Sequence, residues 1–249
     1  MKILRNLKLK VIVFLVVFSC MIFHNILFAL EKMPYVCIYT SEKIVIDGNI
    51  DEPIWQKAKV LDFYIPVTFE TPLSKTEGRL LWDENFLYVS FKAYDKDIVG
   101  KLTERDSSTY KDDALETFIK PDVQNDTYYN FEINVLGTVY DALNKKDLDY
   151  REVGKWNCED LKIGIKIEGT LNNSSDEDKY WQLEVAIPYA KLPTLNGKSP
   201  ESGDNWVFHL GRYDWSVYLP KGKELSSCAP LTKVNFHNYD DWVQLQFKK

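Results

Sequence analysis

Five carboxylates crowd the middle of the chain: Asp112, Asp113, Glu116, Glu132 and Asp141. Groups of this kind act as general acids and bases, hold a cation, or accept hydrogen bonds from hydroxyls. Five aromatic residues fall in or beside expected loops: Tyr110, Trp156, Tyr213, Trp215 and Phe236. A ring can lie flat beneath the apolar C–H face of a polyhydroxylated ligand while carboxylates at its edge take the hydroxyl protons. That is the usual composition of a small-molecule site, with apolar walls and a few placed polar groups. Hydrolysis of a glycosidic bond would ask more, namely two carboxyls set about 5 Å apart for retention and further apart for inversion. Here the carboxylates are expected on a solvated loop and strand edge, where nothing in their spacing poises two of them. The plainer alternative for Glu116 and Glu132 is an outward strand position in water, or an answer to a nearby arginine.

The elements that must position these residues read as strands. Phe86, Tyr88 and Ser90 alternate with Leu87, Val89 and Phe91, and Trp181, Leu183, Val185 and Ile187 alternate with Gln182, Glu184 and Ala186. Ile163, Ile165 and Ile167 repeat the pattern, and residues 128–135, 138–144, 206–214 and 242–247 complete the set. A period of two marks strands with one buried face. Helix is scarce: one short helix is expected over residues 52–58, capped by Asp51 with Pro53 in its first turn, and a single turn over 190–192. Asp47 and Asp83-Glu84-Asn85 read as turn residues. Trp55, Trp82, Trp181, Phe91, Phe118, Phe131 and Trp206 are expected in the core. Two long polar loops, over residues 145–160 and 219–238, are candidates for function. The expected class is all-β, an antiparallel two-sheet β-sandwich.

The chain has 249 residues and a formal net charge of -6. Lys2, Arg5, Lys8 and Lys10 precede an apolar run over residues 11–30, which reads as a secretory signal or an N-terminal membrane anchor. Cleaved export is expected first, an uncleaved anchor second, and lipidation at Cys20 third. All three leave residues 31–249 outside the cytoplasm, at the cell surface, in the periplasm or secreted. The acidic balance argues against nucleic acid or anionic lipid as a ligand, and contact with a membrane is expected only through the N-terminus. Cys37, Cys158 and Cys228 fit no zinc spacing. Two of them can pair in an oxidising compartment, and the sequence does not choose which.

A resemblance rests on ordered phrases. These are Ile46-Asp47-Gly48 with Asp51-Glu52-Pro53-Ile54-Trp55, then Leu81-Trp82-Asp83-Glu84-Asn85-Phe86-Leu87-Tyr88-Val89, then Asp112-Asp113-Ala114-Leu115-Glu116-Thr117-Phe118-Ile119. Trp181 to Pro188, Gly211-Arg212 and Asn235-Phe236-His237 continue the series. Together they resemble a family 9 carbohydrate-binding module, of the DOMON-like sandwich group. The resemblance implies non-catalytic binding of a glycan end or short oligosaccharide, in the service of polysaccharide capture alongside separate degrading enzymes. It implies a pair of stacking aromatics at Tyr110 and Phe236, with Glu116, Glu132 and Arg212 as hydroxyl partners. At Glu132 the family's donor has become an acceptor. Trp156 or Trp215 is the expected replacement if the clamp has moved. The resemblance also implies a structural calcium ion, for which the sequence designates no ligands.

Two other readings compete. One is an O-glycosyl hydrolase using the central carboxylates. The other is a protein-interaction sandwich that has lost sugar binding. Haem, bound by some DOMON-like domains, commonly needs His, Met or Cys as axial ligand. Past the signal only Met33, His209 and His237 supply the Met and His types, so a Met/His pair is not expected.

Overall fold

Alternating side chains build twelve strands among the residues that the computed structural model describes, 33–145 and 156–249. The expected export segment lies outside the described residues, as does much of the 145–160 loop. In chain order the strands are β1 (Tyr35–Tyr39), β2 (Leu61–Asp62), β3 (Thr76–Trp82), β4 (Phe86–Tyr94), β5 (Ala114–Lys120) and β6 (Thr127–Asn134). They continue as β7 (Val139–Lys145), β8 (Lys162–Glu168), β9 (Tyr180–Pro188), β10 (Asn205–Trp215), β11 (Lys223–Ser227) and β12 (Val243–Lys248). One hydrogen-bonded path runs β7-β6-β5-β10-β12-β1-β3-β4-β9-β8, with β11 on β10 and β2 on β3.

The path curls so that its two halves face each other. Leu115 and Ile119 of β5 and Phe131 and Ile133 of β6 share one core with Leu80 of β3, Val89 and Phe91 of β4, and Leu183 and Val185 of β9. Tyr189, just after β9, meets Trp206 of β10 edge-on, with centroids 6.1 Å apart. All seven aromatics expected in the core are buried. The sandwich is nevertheless not strictly antiparallel. β1 runs parallel to both β12 and β3. A parallel neighbour cannot be reached by a hairpin and needs a long crossover; residues 40–75 supply it between β1 and β3.

That crossover carries the first recognisable phrase. Asp47 Oδ1 accepts from Asn49 N at 2.8 Å, as a turn aspartate should. Gly48 has φ +90, and its backbone lies directly against β8; a Cβ there would stand 2.4 Å from the Ile165 carbonyl carbon. The turn is held from β9 by the buried Glu184 carboxyl, which accepts from Gly48 N at 3.0 Å, Asp47 N at 3.2 Å and Trp55 Nε1 at 3.0 Å. The expected helix over 52–58 is a single 3-10 turn, Pro53–Gln56. Its capping position is Glu52 rather than Asp51, and no side chain caps it. The three described cysteines are buried and unpaired.

Candidate functional site

The candidate site lies on the outer face of the β7-β6-β5-β10 half. Alternation sends Leu115 and Ile119 inward, and Glu116 and Phe118 outward. Register then sets a row across four strands: Gly211 opposite Glu116, Glu116 opposite Glu132, and Glu132 opposite Tyr140. The next row is His209, Phe118, Asn130 and Ala142. A short turn, Thr109–Lys111, hangs over this face. It brings Thr109 Oγ1 to donate to Glu132 Oε1 and presents Tyr110, which is 42% exposed, with its ring 5.8 Å from that of Tyr213. The chain after β11 folds back over the far end of the face, where Leu231, Phe236 and Trp242 pack on Phe118 and Tyr128. Between turn and flap lies a cleft of about 800 Å3. Its floor is Glu116, Asn130 and Glu132; its walls are Tyr110, Tyr213 and Tyr140 with Asp106, Ser107, Ser108, Asn235 and His237.

Cavities of this size are typical of small-molecule sites. The floor is built of acceptors. Glu116 and Glu132 are buried, and burial pushes the Glu116 carboxyl well above its usual range, with the Glu132 charge and their mutual hydrogen bond adding to the shift. Two carboxyls in such contact share one proton, because both charges together are too costly away from water. Glu116 Oε2 and Asn130 Oδ1 are buried and, among the described residues, receive no hydrogen bond from a donor group. Burial also pushes Tyr213 upward, with Glu116 and Glu132 contributing next. His237 stands within 2.8 Å of the Tyr128 hydroxyl, and burial lowers its pKa to about 4. The ring is therefore neutral near pH 7.

The sequence-expected residues separate into two groups. Tyr110, Glu116 and Glu132 meet in the cleft. Phe236 is buried beneath its edge: its ring lies over Gly211, where a Cβ would come 2.8 Å from Cε2, and 5.3 Å from the Tyr213 ring. Such a ring supports the wall and offers no open face for stacking. Arg212 points inward, because it neighbours Gly211 on a strand of period two. Its fully buried guanidinium reaches Asp95 at 2.8 Å and Asp214 at 3.3 Å, far from any hydroxyl partner in the cleft. Trp156 packs on the inner-face rings of Tyr129 and Phe131, at 5.0 and 6.1 Å. Trp215 stands behind the Tyr110 turn and fixes it, its Nε1 donating to Tyr110 O at 2.9 Å. Sequence reasoning left out Tyr140, Asn130, Asn235 and His237 as site residues, and had Tyr213 only among the loop aromatics. One signal was available for Tyr140. A hairpin centred on Leu136 pairs residue 140 with residue 132, hence on the same face.

A second polar cluster lies under β10. Carboxyl oxygens of Asp95, Asp113 and Asp214 converge within 4.8 Å of one another, all buried, beside Arg212. Burial chiefly raises Asp95 to about 7, against the Arg212 charge, and raises Asp113 well above its usual range. Asp113 is occupied structurally: it accepts from Val99 N at 2.6 Å and Trp215 N at 2.6 Å. Asp214 Oδ2 has no hydrogen-bond partner among the described residues.

A curled β-sandwich with an aromatic-walled, acceptor-floored cleft on one outer face is the architecture of a ligand-binding module. The chain belongs to the carbohydrate family 9 binding domain-like family, whose model matches residues 46–248. This is a family of carbohydrate binders rather than catalysts. Among solved structures, the fold is similar to that of a candidate carbohydrate-binding protein of Bacteroides uniformis ATCC 8492, at 14% identity and TM-score 0.65, covering 86% of this chain and 98% of that one. It is also similar to a family 9 carbohydrate-binding module of Caldicellulosiruptor kristjanssonii in complex with cellotriose, at 18% identity and TM-score 0.57, covering 86% of this chain and 92% of that one. The same holds for a family 9 module of that organism in complex with glucose, at 17% identity and TM-score 0.55, covering 86% and 95%. No curated protein sequence matches the chain.

Proposed function

We propose that the cleft above Glu116 and Glu132 binds a glycan chain end or short oligosaccharide without cleaving it. The observation that carries this reading is the half-exposed Tyr110 ring standing over a buried carboxyl pair in a cleft of about 800 Å3. Tyr110 supplies the stacking face, and Tyr213 and Tyr140 the walls. Glu116, Glu132 and Asn130 take hydroxyl protons. Phe236 and Trp215 act from behind, the first holding the wall and the second holding the Tyr110 turn. The contact between Glu116 and Glu132 weighs against an O-glycosyl hydrolase, since a scissile bond must fit between the catalytic pair. That contact supports a binding role, in polysaccharide capture with separate enzymes doing the cutting. The basic flank and apolar run of residues 1–30 support export or surface display.

A structural calcium ion would find hard oxygen ligands in the Asp95, Asp113 and Asp214 cluster.

Titration calorimetry of the full-length chain against glucose, cellobiose and cellotriose tests the binding reading. Saturable binding that Tyr110→Ala weakens about tenfold or more supports it, the loss of one covered side chain being worth roughly 1.5–3 kcal/mol. Binding unchanged in Tyr110→Ala would move the site elsewhere. No binding by a folded protein would favour the protein-interaction sandwich.

A further inference from the structure

We propose that the cleft selects amine-bearing sugars, such as glucosamine and its oligomers, over neutral, N-acetylated or acidic ones. This rests on the binding reading above and specifies its ligand class.

Three observations converge. First, the cleft is lined by three carboxyl groups, Asp106, Glu116 and Glu132, and among the described residues by no lysine or arginine. Lys111 lies beside the Tyr110 ring, 5.9 Å from its centroid, outside the lining. The histidine in the wall, His237, is neutral near pH 7. Second, the buried floor atoms left without a donor, Glu116 Oε2 and Asn130 Oδ1, are both acceptors. A buried acceptor without a partner is costly, and the cost is removed by a ligand that donates. Third, Glu116 and Glu132 are held against each other, so that one proton must stay between them. An ammonium group brings three donors and a positive charge. It satisfies both floor acceptors and allows the pair to ionise fully. A neutral hydroxyl brings one donor and leaves the pair sharing its proton. A carboxylated or sulfated sugar would meet like charge with nothing to answer it.

The proton balance is explicit. The free pair holds one shared proton; the ligand arrives as R–NH3+. In the complex that proton passes to solvent and the pair is fully ionised against the ammonium. Binding of the amine therefore releases up to one proton, whereas binding of a neutral sugar releases none. Asp106, Tyr110, Tyr140, Tyr213 and His237 are the other titratable groups facing the pair.

The test is calorimetry on the full-length chain with four probes: glucosamine oligomers, their N-acetylated counterparts, cellotriose, and ethanolamine as a bare amine. Each is run in two buffers of different ionisation enthalpy. The expected result is binding of the glucosamine oligomer about tenfold or more tighter than of the acetylated one. Proton release should accompany the amine sugar alone, and ethanolamine should bind weakly. Glu116→Gln and Glu132→Gln should abolish the preference and the proton release, with a cooperative urea transition certifying that each variant folds. Equal affinity for amine and acetylated sugars, with cellotriose bound, would overturn the selectivity and leave the binding function intact. A preference that persists in both variants would overturn it as well. Failure of every sugar to bind would remove both readings together.

Discussion

Glu184 lies far from the cleft and in the middle of β9, yet replacing it with alanine should be among the most damaging single changes in the protein. Its carboxyl accepts from Gly48 N, Asp47 N and Trp55 Nε1. Asp47 N has a second acceptor in Val45 O at 3.0 Å, so it is not stranded by the change. The Gly48 N–H and the indole N–H of the fully buried Trp55 are left without that acceptor. An unmade hydrogen bond at a buried donor costs about 1–3 kcal/mol, which gives about 2–6 kcal/mol for the two. Domain stabilities are about 5–15 kcal/mol, so the loss should be plain in a urea titration followed by tryptophan fluorescence. Trp55→Phe removes one of the two donors. In the Glu184→Ala background it should therefore cost less than in the native protein, by about 1 kcal/mol or more. Additive losses, or a Glu184→Ala cost below about 1 kcal/mol, would refute the clasp.

Gly211→Ala should destabilise by about 1–3 kcal/mol through overpacking, since its Cβ would press on Phe236 at 2.8 Å. In a Phe236→Ala background the same change should cost little, and a full cost there would show that the ring is not the obstacle. Stability should fall as pH rises from about 5 to about 8. Asp95 and Glu184 are raised to about 7, each chiefly by burial, and Asp113 and Glu116 are also raised, by the same cause. Between the ordinary carboxylate pKa and the raised ones the unfolded chain binds fewer protons than the folded one, so the slope of stability against pH is negative. A urea midpoint that climbs across this interval would contradict that sign. If calcium occupies the Asp95 cluster, a chelator should lower Tm and added calcium should restore it. A Tm indifferent to both would discard the site.

Much of this architecture was written in residue alternation. β4, β8 and β9 fall where Phe86, Ile163 and Trp181 begin their period-two runs, and the Asp47 and Asp83 turns form as their side chains dictate. β11 escaped notice because Lys223–Ser227 has one flank of polar residues and reads as loop; it exists because β10 extends far enough to pair with it. The parallel placement of β1 is equally silent, since it depends on two strands distant in sequence. At the site, the family resemblance gave Tyr110, Glu116 and Glu132, while local pattern mistook their surroundings. A strand of alternating polar residues is expected to face water. Here residues 228–242 fold over Phe118 at one end of the outer face and the Thr109–Lys111 turn covers Glu132 at the other, so β5 is buried on both sides. The inward turn of Arg212 follows from parity with its neighbour Gly211. It becomes visible only when β10 is known to share a face with β5.

The first and last strands lie side by side and point the same way, with Tyr35 level with Leu245 and Ile38 level with Lys248. The chain enters at one end of this pair and leaves at the other. Tension between the two ends therefore acts along the strands, across hydrogen bonds that run between them. All the bonds of the β1–β12 seam must then give way together, whereas a pair pulled from the same end would open one bond at a time. A load applied between Tyr35 and Lys248 would therefore meet a cooperative seam first.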